Sequence, residues 1–240
     1  NHQLIRLAAY LQANQVADRA LDFIESDASI ADRSLVAMCL QFFENDWNAE
    51  QRFRILKYYE NTANAATEGA LPLYLADVTR DFAKSLSDDD VRAILEQGAV
   101  WRNAALAAIY KLHRPVDAET ANLLIELDKE LLDDPTNSDV ERRLRTGITA
   151  MLSTSSEKSS AEYLRSSWRS EPERRQIVAM ALAQQPEGEN WDYLVRSLNI
   201  LDGPIATEVV TKLTSVPIAT DDPMALRSLI LMGVRAEQNG

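Results

Sequence analysis

Apolar residues recur at the spacing i, i+3, i+4, i+7 from one end of this chain to the other, and this limits what it can fold into. Three stripes illustrate the pattern: Leu4, Leu7, Ala8 and Leu11; Phe53, Leu56, Tyr59 and Ala63; and Leu123, Leu124, Leu127 and Leu131. Such spacing places apolar side chains on one face of a helix. Because β-branched pairs such as Val209-Val210 lie inside helical patterns, we find no convincing strand and predict an all-α fold.

Residues that favour helix N-termini divide this pattern into segments. Ser138-Asp139-Val140-Glu141 predicts a capping box, in which the Ser and Glu side chains each bind a free backbone N–H. Ser170-Glu171-Pro172-Glu173 predicts a second start of the same kind, with Pro in the first turn. Further starts are predicted at Asn48, Ser87, Asp117, Gly203-Pro204 and Asp222-Pro223.

Periodicity and caps together predict about fourteen helices with short links, or seven antiparallel pairs. The predicted ranges are 2–13, 15–26, 31–44, 49–64, 72–86, 88–97, 99–112, 118–132, 139–153, 160–169, 171–185, 189–200, 204–214 and 223–236. Successive pairs start about 28 to 41 residues apart, which is typical of helical-repeat solenoids. We therefore expect one α-α superhelix over residues 1–240, with a continuous core.

A short internal motif supports the repeat interpretation. It occurs at 33–40, 102–109, 145–152, 175–182 and 227–234. Each copy begins with Arg and has apolar residues three and seven positions after it. Most copies also have a small residue six positions after the Arg, which we call the small position. Cys39, Ala108, Ala181 and Gly233 fill the small position, where they would let helices approach closely, whereas Met151 breaks the rule. The alternative is coincidence among Ala- and Leu-rich helices.

Composition excludes several classes of protein. The 240 residues carry a net charge of −12, which argues against nonspecific nucleic-acid binding and favours a basic partner. Cys39 is the single cysteine and cannot form an intramolecular disulfide; its apolar neighbours predict a small core residue. No apolar run approaches the roughly 18 residues of a membrane span. The chain begins at Asn1 rather than Met, so we expect a segment excised from a larger protein.

The sequence assigns no catalytic, cofactor-binding or metal-binding residue. It contains no C-x-x-C, H-E-x-x-H, Gly-rich phosphate loop or G-x-S-x-G motif. His113 is expected at a helix C-terminus, and Asp88-Asp89-Asp90 in a first helical turn rather than a Ca²⁺ site. Glu126, Asp128 and Glu130 alternate with apolar residues, mostly leucines, and are expected to be solvated.

Two enzyme-like features remain open. The 37 acidic residues allow paired carboxylates for glycoside hydrolysis, as in a helical-barrel enzyme acting on carbohydrate, but no feature selects a pair. Four tryptophans could line a ligand groove, although packing between repeats is favoured. They are Trp47, Trp101, Trp168 and Trp191.

Three segments resemble the HEAT-like helical domain of large secreted bacterial haem-binding proteins. They are Asn45-Asp-Trp-Asn-Ala-Glu-Gln-Arg52 running into Tyr58-Tyr-Glu60; Trp191-Asp-Tyr-Leu-Val-Arg-Ser-Leu198 followed by Leu201-Asp-Gly-Pro204; and Leu226-Arg-Ser-Leu-Ile-Leu-Met-Gly-Val234. These are packing and turn motifs rather than active-site motifs. In that family a dehydrogenase-like β-propeller precedes the helical repeats and a c-type cytochrome module follows them.

The resemblance implies a HEAT-like solenoid that forms the middle of such a protein, in the periplasm or secreted; a cytoplasmic location stays open. It implies haem only in a downstream domain of the parent, and no cofactor in this chain. We expect a noncatalytic, monomeric scaffold whose partner is a protein or a neighbouring domain, and not a nucleic acid or a membrane. RNA binding is the least favoured alternative, because no basic stripe occurs.

Overall fold

The computed structural model describes residues 2–43, 47–65, 70–133, 135–136, 138–217 and 220–239, and within them the chain is helical without a β-strand. This confirms the all-α prediction. The fourteen helices of the described residues are α1 (His2–Tyr10), α2 (Ala17–Ile24), α3 (Ile30–Leu40), α4 (Ala49–Ala65), α5 (Leu71–Ala83), α6 (Asp88–Leu95), α7 (Arg102–Ile109), α8 (Ala118–Asp133), α9 (Asp139–Leu152), α10 (Lys158–Ser170), α11 (Arg175–Leu182), α12 (Glu189–Ser197), α13 (Gly203–Thr214) and α14 (Pro223–Asn239). Short 3-10 turns at Asn14–Val16 and Pro172–Arg174 precede α2 and α11.

The chain divides into two compact units. Unit 1 comprises Asn1–Leu112 and Asp133–Leu144, and unit 2 comprises His113–Leu132 and Arg145–Gly240. In unit 1, α2 packs against α3 and α4, α4 against α5, and α5 and α6 against α7. In unit 2, α10 packs against α11 and α12, and α12 against α11, α13 and α14. Most of these contacts join a helix to the next one or the next but one along the chain.

Aromatic rings fill much of the core of unit 1. The Trp47 ring lies edge-on to Phe43 and Phe82, with 6.3 and 5.5 Å between ring centroids, and Tyr59 lies 6.3 Å from Phe82. Their polar atoms are satisfied within the core. Trp47 Nε1 donates to the Phe43 carbonyl at 2.8 Å, and the Tyr59 hydroxyl donates to the Ala37 carbonyl at 2.7 Å.

The other tryptophans also pack inside the helical structure. Trp101 lies 5.6 Å from Phe53, and Trp168 lies 5.3 Å from Tyr193 with the two rings nearly perpendicular. Trp191 is buried. Trp47 and Trp191 are thus buried, whereas Trp101 and Trp168 are half-buried and each contacts another aromatic ring. Packing specifically between repeats stays a prediction.

Several helix starts follow the predicted chemistry. Ser87 and Asp90 form a full capping box at α6: the Ser87 hydroxyl accepts the Asp90 N–H, and the Asp90 carboxylate accepts the Ser87 N–H at 2.9 Å. Asn48, Asp117 and Asp222 each accept a backbone N–H in the first turn of α4, α8 and α14. The acidic run Asp88–Asp90 is therefore the first turn of a helix, as predicted.

Two capping predictions need correction. Ser170 does not start a helix: it is the last residue of α10, and its hydroxyl donates to the Ser166 carbonyl at 3.0 Å. The chain then forms the 3-10 turn, and α11 begins at Arg175. At α9 the Ser138 hydroxyl accepts the Glu141 N–H as predicted, whereas the Glu141 carboxylate accepts the Thr136 N–H at 2.7 Å.

Candidate interaction surfaces

The five motif copies differ in how their apolar positions are covered. In the first four copies the residues three and seven positions after Arg are buried: Val36 and Leu40, Ala105 and Ile109, Ile148 and Leu152, and Val178 and Leu182. In the fifth copy, on α14, Ile230 is 67% exposed and Val234 is 45% exposed. Cys39, Ala108 and Ala181 are buried, which fits close helix approach, while the burial of Gly233 lies outside the described residues. The apolar side chains at these two positions are thus buried in four copies of the motif and exposed to solvent in the fifth.

Helix α14 therefore presents an apolar face. The helix packs against α12, and its Ala225 and Ser228 are buried. The Ser228 hydroxyl accepts the side-chain N–H of Asn199, just beyond the end of α12, at 2.9 Å. The exposed apolar side chains of α14 are Met224, Leu226, Leu229, Ile230, Leu231 and Val234. Of these, Leu226, Ile230 and Val234 are spaced by four residues and share one side of the helix, which we call the α14 face. Large apolar side chains grouped in this way mark a binding surface more often than a solvated one.

Helix α1 has a similar face at the opposite end of the sequence. Its predicted apolar stripe is mostly open to solvent, with exposed Leu4, Leu7, Tyr10 and Leu11. Between α1, α2 and α3 lies a groove of about 410 Å³, lined mainly by Ile5, Ala8, Ala20 and Phe23. A second cavity of about 570 Å³ on unit 1 is lined partly by Cys39 and Tyr74.

Cys39 behaves as the small core residue that the sequence predicts. It is buried as a free thiol, and burial raises its pKa. A raised pKa keeps the thiol protonated, and thiols react as thiolates. This position is therefore suited to packing rather than to nucleophilic chemistry.

In unit 1 the buried carboxylate of Glu60 is held by neutral hydrogen-bond donors. Glu60 is 3% exposed, and its Oε2 accepts the backbone N–H groups of Asn103 and Ala104 at 3.0 and 3.2 Å. Its Oε1 accepts the side-chain amides of Asn103 and Asn64 at 3.1 and 3.3 Å. Burial raises the pKa of Glu60 above its usual range, although these hydrogen bonds oppose the shift. The carboxylate thereby caps the N-terminus of α7 from helix α4.

Unit 2 buries a charge network around Asp128. The prediction that Asp128 is solvated was wrong: its side chain is fully buried, whereas Glu126 and Glu130 are exposed as predicted. Arg145 Nε donates to Asp128 Oδ1 at 2.9 Å, and Arg174 Nη1 donates to Asp128 Oδ2 at 2.8 Å.

Tyr163 and Glu171 are the further members of this charge network. The Tyr163 hydroxyl donates to Asp128 Oδ2 at 2.7 Å, and Arg145 Nη2 donates to buried Glu171 at 2.7 Å. Burial acts to raise the pKa of Asp128, but Arg145 and Arg174 outweigh it and hold that pKa below its usual range. Asp128 and Glu171 are thus two carboxylates bridged by two guanidinium groups.

This arrangement differs from what a glycoside hydrolase requires. A general acid needs a raised pKa, and a carboxylate pair needs space between its members for a sugar and water. Asp128 has a lowered pKa, and Arg145 and Arg174 occupy the space beside it. We therefore assign the network to the stability of unit 2, and the paired-carboxylate hypothesis stays a prediction without a chosen pair.

The remaining sequence candidates do not converge on one site. His113 is exposed beyond the end of α7, and Asp90 of the acidic run is bound by Arg52. Within the described residues no group of three or more His, Cys, Asp or Glu is placed to hold a metal ion. In the same part of the chain no helix has both the length and the apolar character needed to cross a membrane.

Comparison with known proteins adds no relationship: no family model, curated protein or solved structure matches the chain.

Proposed function

We propose that this chain is a noncatalytic helical scaffold whose exposed α1 and α14 faces bind a protein partner or neighbouring domains. The observation that carries the proposal is the contrast among the motif copies. Ile230 and Val234 occupy positions that are buried in the four earlier copies, so the pattern of α14 is that of a helix that packs against protein. Burying such side chains contributes about 25 cal/mol per Å² of apolar surface.

The proposal extends to a HEAT-like α-α superhelix of seven antiparallel helix pairs. In support, helices within each unit contact mainly the next helix and the next but one, which is how stacked repeats bury their faces. The motif copies at 33–40 and 175–182 both have a small residue six positions after the Arg, Cys39 on α3 and Ala181 on α11. Both helices pack against neighbouring helices.

The wider context is also proposed, on the resemblance alone: a middle domain of a secreted or periplasmic haem-binding protein. Of the segments that carry the resemblance, Asn45 and Asp46 lie outside the described residues. Tyr58 and Tyr59 are buried in unit 1, and Trp191 and Leu194 in unit 2. These burials support packing roles for the segments and leave redox chemistry to other domains of the parent.

Cysteine labelling tests the scaffold proposal. Ile230→Cys and, as a matched control, Tyr110→Cys place reactive thiols at two exposed positions, while the native Cys39 is buried. We expect maleimide to label Ile230→Cys about tenfold or more slowly in the full-length natural protein than in this chain alone, because a docked domain excludes the reagent. Tyr110→Cys should react at the same rate in both. Equal labelling of Ile230→Cys in the two proteins would overturn docking of a neighbouring domain on α14.

A further inference from the structure

Unit 2 carries a cluster of three arginines on two aromatic rings, formed by α10, α11 and α12. Arg169 and Arg196 lie against the Tyr193 ring, with Cζ 5.8 and 5.4 Å from the ring centroid. Arg175 lies over the Trp168 ring at 4.8 Å. Because the two rings are themselves in contact at 5.3 Å, the arginines form one continuous cation-aromatic cluster.

The protein already holds two of these guanidinium groups in place. Arg169 Nη1 donates to the Tyr193 hydroxyl at 2.6 Å. Arg175 Nε and Nη2 donate to the Trp168 and Arg169 carbonyls at 2.9 and 3.4 Å, which leaves the Nη1 group and the second Nη2 hydrogen of Arg175 for a ligand. Tyr193 is buried and Trp168 is half-buried, so the rings beneath them are fixed by packing. A group that is ordered before binding loses less entropy when a ligand arrives.

No carboxylate in the described part of the chain forms an ion pair with Arg169 or Arg175. Several of its half-buried or buried arginines face carboxylates: Arg52, Arg54, Arg145, Arg165, Arg174 and Arg196. In the cluster, Arg196 pairs with Asp222. Among the residues described, neither Arg169 nor Arg175 lies within ion-pair distance of a carboxylate, although the chain has 37 acidic residues and 25 basic ones.

We propose that Arg169 and Arg175 bind an acidic peptide segment of a protein partner. Guanidinium groups bind carboxylates through paired N–H donors, and these two stand on different rings, which suits successive Glu or Asp side chains better than one tetrahedral anion. The net charge of −12 favours a basic partner over most of the surface, so an acidic segment is expected to bind only where the local charge is positive, as at this cluster. This inference goes beyond the scaffold proposal and uses no residue of α1 or α14.

Fluorescence anisotropy with a fluorescein-labelled peptide of alternating glutamate and glycine tests the inference at low ionic strength. The double variant Arg169→Gln/Arg175→Gln should weaken binding by about tenfold or more, since both charged donors are lost. The matched control Arg80→Gln/Arg92→Gln removes the same charge from exposed positions in unit 1 and should leave binding nearly unchanged. Arg175→Lys keeps the charge but loses the planar fork, so we expect a loss of about threefold.

Other outcomes would overturn the inference. Absent binding, equal weakening by the two double variants, or equal affinity for a lysine-glycine peptide would each show that the cluster does not recognise acidic side chains. Displacement of the peptide by inorganic phosphate far more readily than by acetate would assign the cluster to phosphoryl groups instead. Circular dichroism checks folding, and if the double variant is unfolded, exposed Arg169→Gln alone provides the test.

Discussion

Each unit of this protein buries a carboxylate, and the two units satisfy it in opposite ways. Glu60 in unit 1 accepts four hydrogen bonds from neutral groups, whereas Asp128 in unit 2 accepts from Arg145, Arg174 and Tyr163. Both side chains are nearly inaccessible to solvent. The pKa of Glu60 is nevertheless raised and that of Asp128 lowered.

The difference shows that hydrogen bonds alone do not compensate a buried charge here. Neutral donors leave the desolvation of Glu60 dominant, while the two cations beside Asp128 more than offset it. The unit 2 network is therefore expected to depend strongly on its charges, and the Glu60 cap mainly on its hydrogen-bond acceptors. Four measurements test whether the two carboxylates differ in this way.

The largest effect is expected for Asp128→Asn. The substitution keeps the shape of the side chain but leaves Arg145 and Arg174 with Glu171 as their one counter-charge among the described residues. Removing one partner from a buried ion pair costs about 3–5 kcal/mol. Urea unfolding followed by circular dichroism measures the loss. Exposed Glu126→Gln on the same helix is the control and should cost less than about 1 kcal/mol. A similar small loss for both variants would show that the network does not stabilise unit 2.

Glu60→Ala should cost less, about 1–3 kcal/mol, because it leaves the buried N–H groups of Asn103 and Ala104 without an acceptor. The same unfolding assay applies, with exposed Glu50→Ala on α4 as the control. If Glu60→Ala lowered the free energy of unfolding more than Asp128→Asn does, the hydrogen bonds of Glu60 would stabilise the protein more than the ion pairs of Asp128, contrary to our expectation.

Tyr163→Phe removes one hydrogen bond to Asp128 and leaves both guanidinium groups in place. We expect a loss of about 1 kcal/mol in the free energy of unfolding. Exposed Tyr110→Phe should have no measurable effect. An equally small change for Tyr163→Phe would mean that the arginines alone satisfy Asp128.

The smallest effect is a difference in pH dependence. The folded-state pKa of Glu60 lies above its unfolded value, so wild-type stability relative to Glu60→Gln should fall as pH rises from the ordinary glutamate pKa to the raised one. The pKa of Asp128 is lowered, so the stability that Asp128→Asn removes should be constant above the ordinary aspartate pKa and decline only below it. Unfolding at a series of pH values measures both slopes, and parallel slopes would contradict the contrast.

The sequence predicts much of this fold because helix formation here is local. The 3.6-residue period and caps such as Ser87 and Asp117 depend on neighbouring residues, so fourteen helices can be predicted with small errors at their ends. The prediction that Ser170 starts a helix was wrong because the residues around a Ser at the end of one helix can look the same as those around a Ser at the start of the next. Its hydroxyl binds the preceding turn instead.

The buried acids show what local reasoning misses. Asp128 follows Leu124 by four residues and precedes Leu131 by three, so the helical period places it on the buried face of α8. Glu60 has the same relation to Leu56. Asp128 was expected to be solvated, and this spacing is the signal that would have indicated its burial, as it does for Glu60. The partners of both acids cannot be predicted in this way. Arg174 lies 46 residues from Asp128, and Asn103 lies 43 residues from Glu60.

The cap that Glu60 provides has a consequence for dividing the chain into fragments. Helix α7 has eight residues, and Trp101 at its N-cap supplies no side-chain acceptor. Helices this short are rarely stable alone in water, so α7 depends on a carboxylate belonging to α4. A fragment or graft that separates α7 from α4 would carry a helix without the carboxylate that caps its N-terminus. The helices of unit 1 are therefore not independent of one another, and α7 cannot be moved without α4.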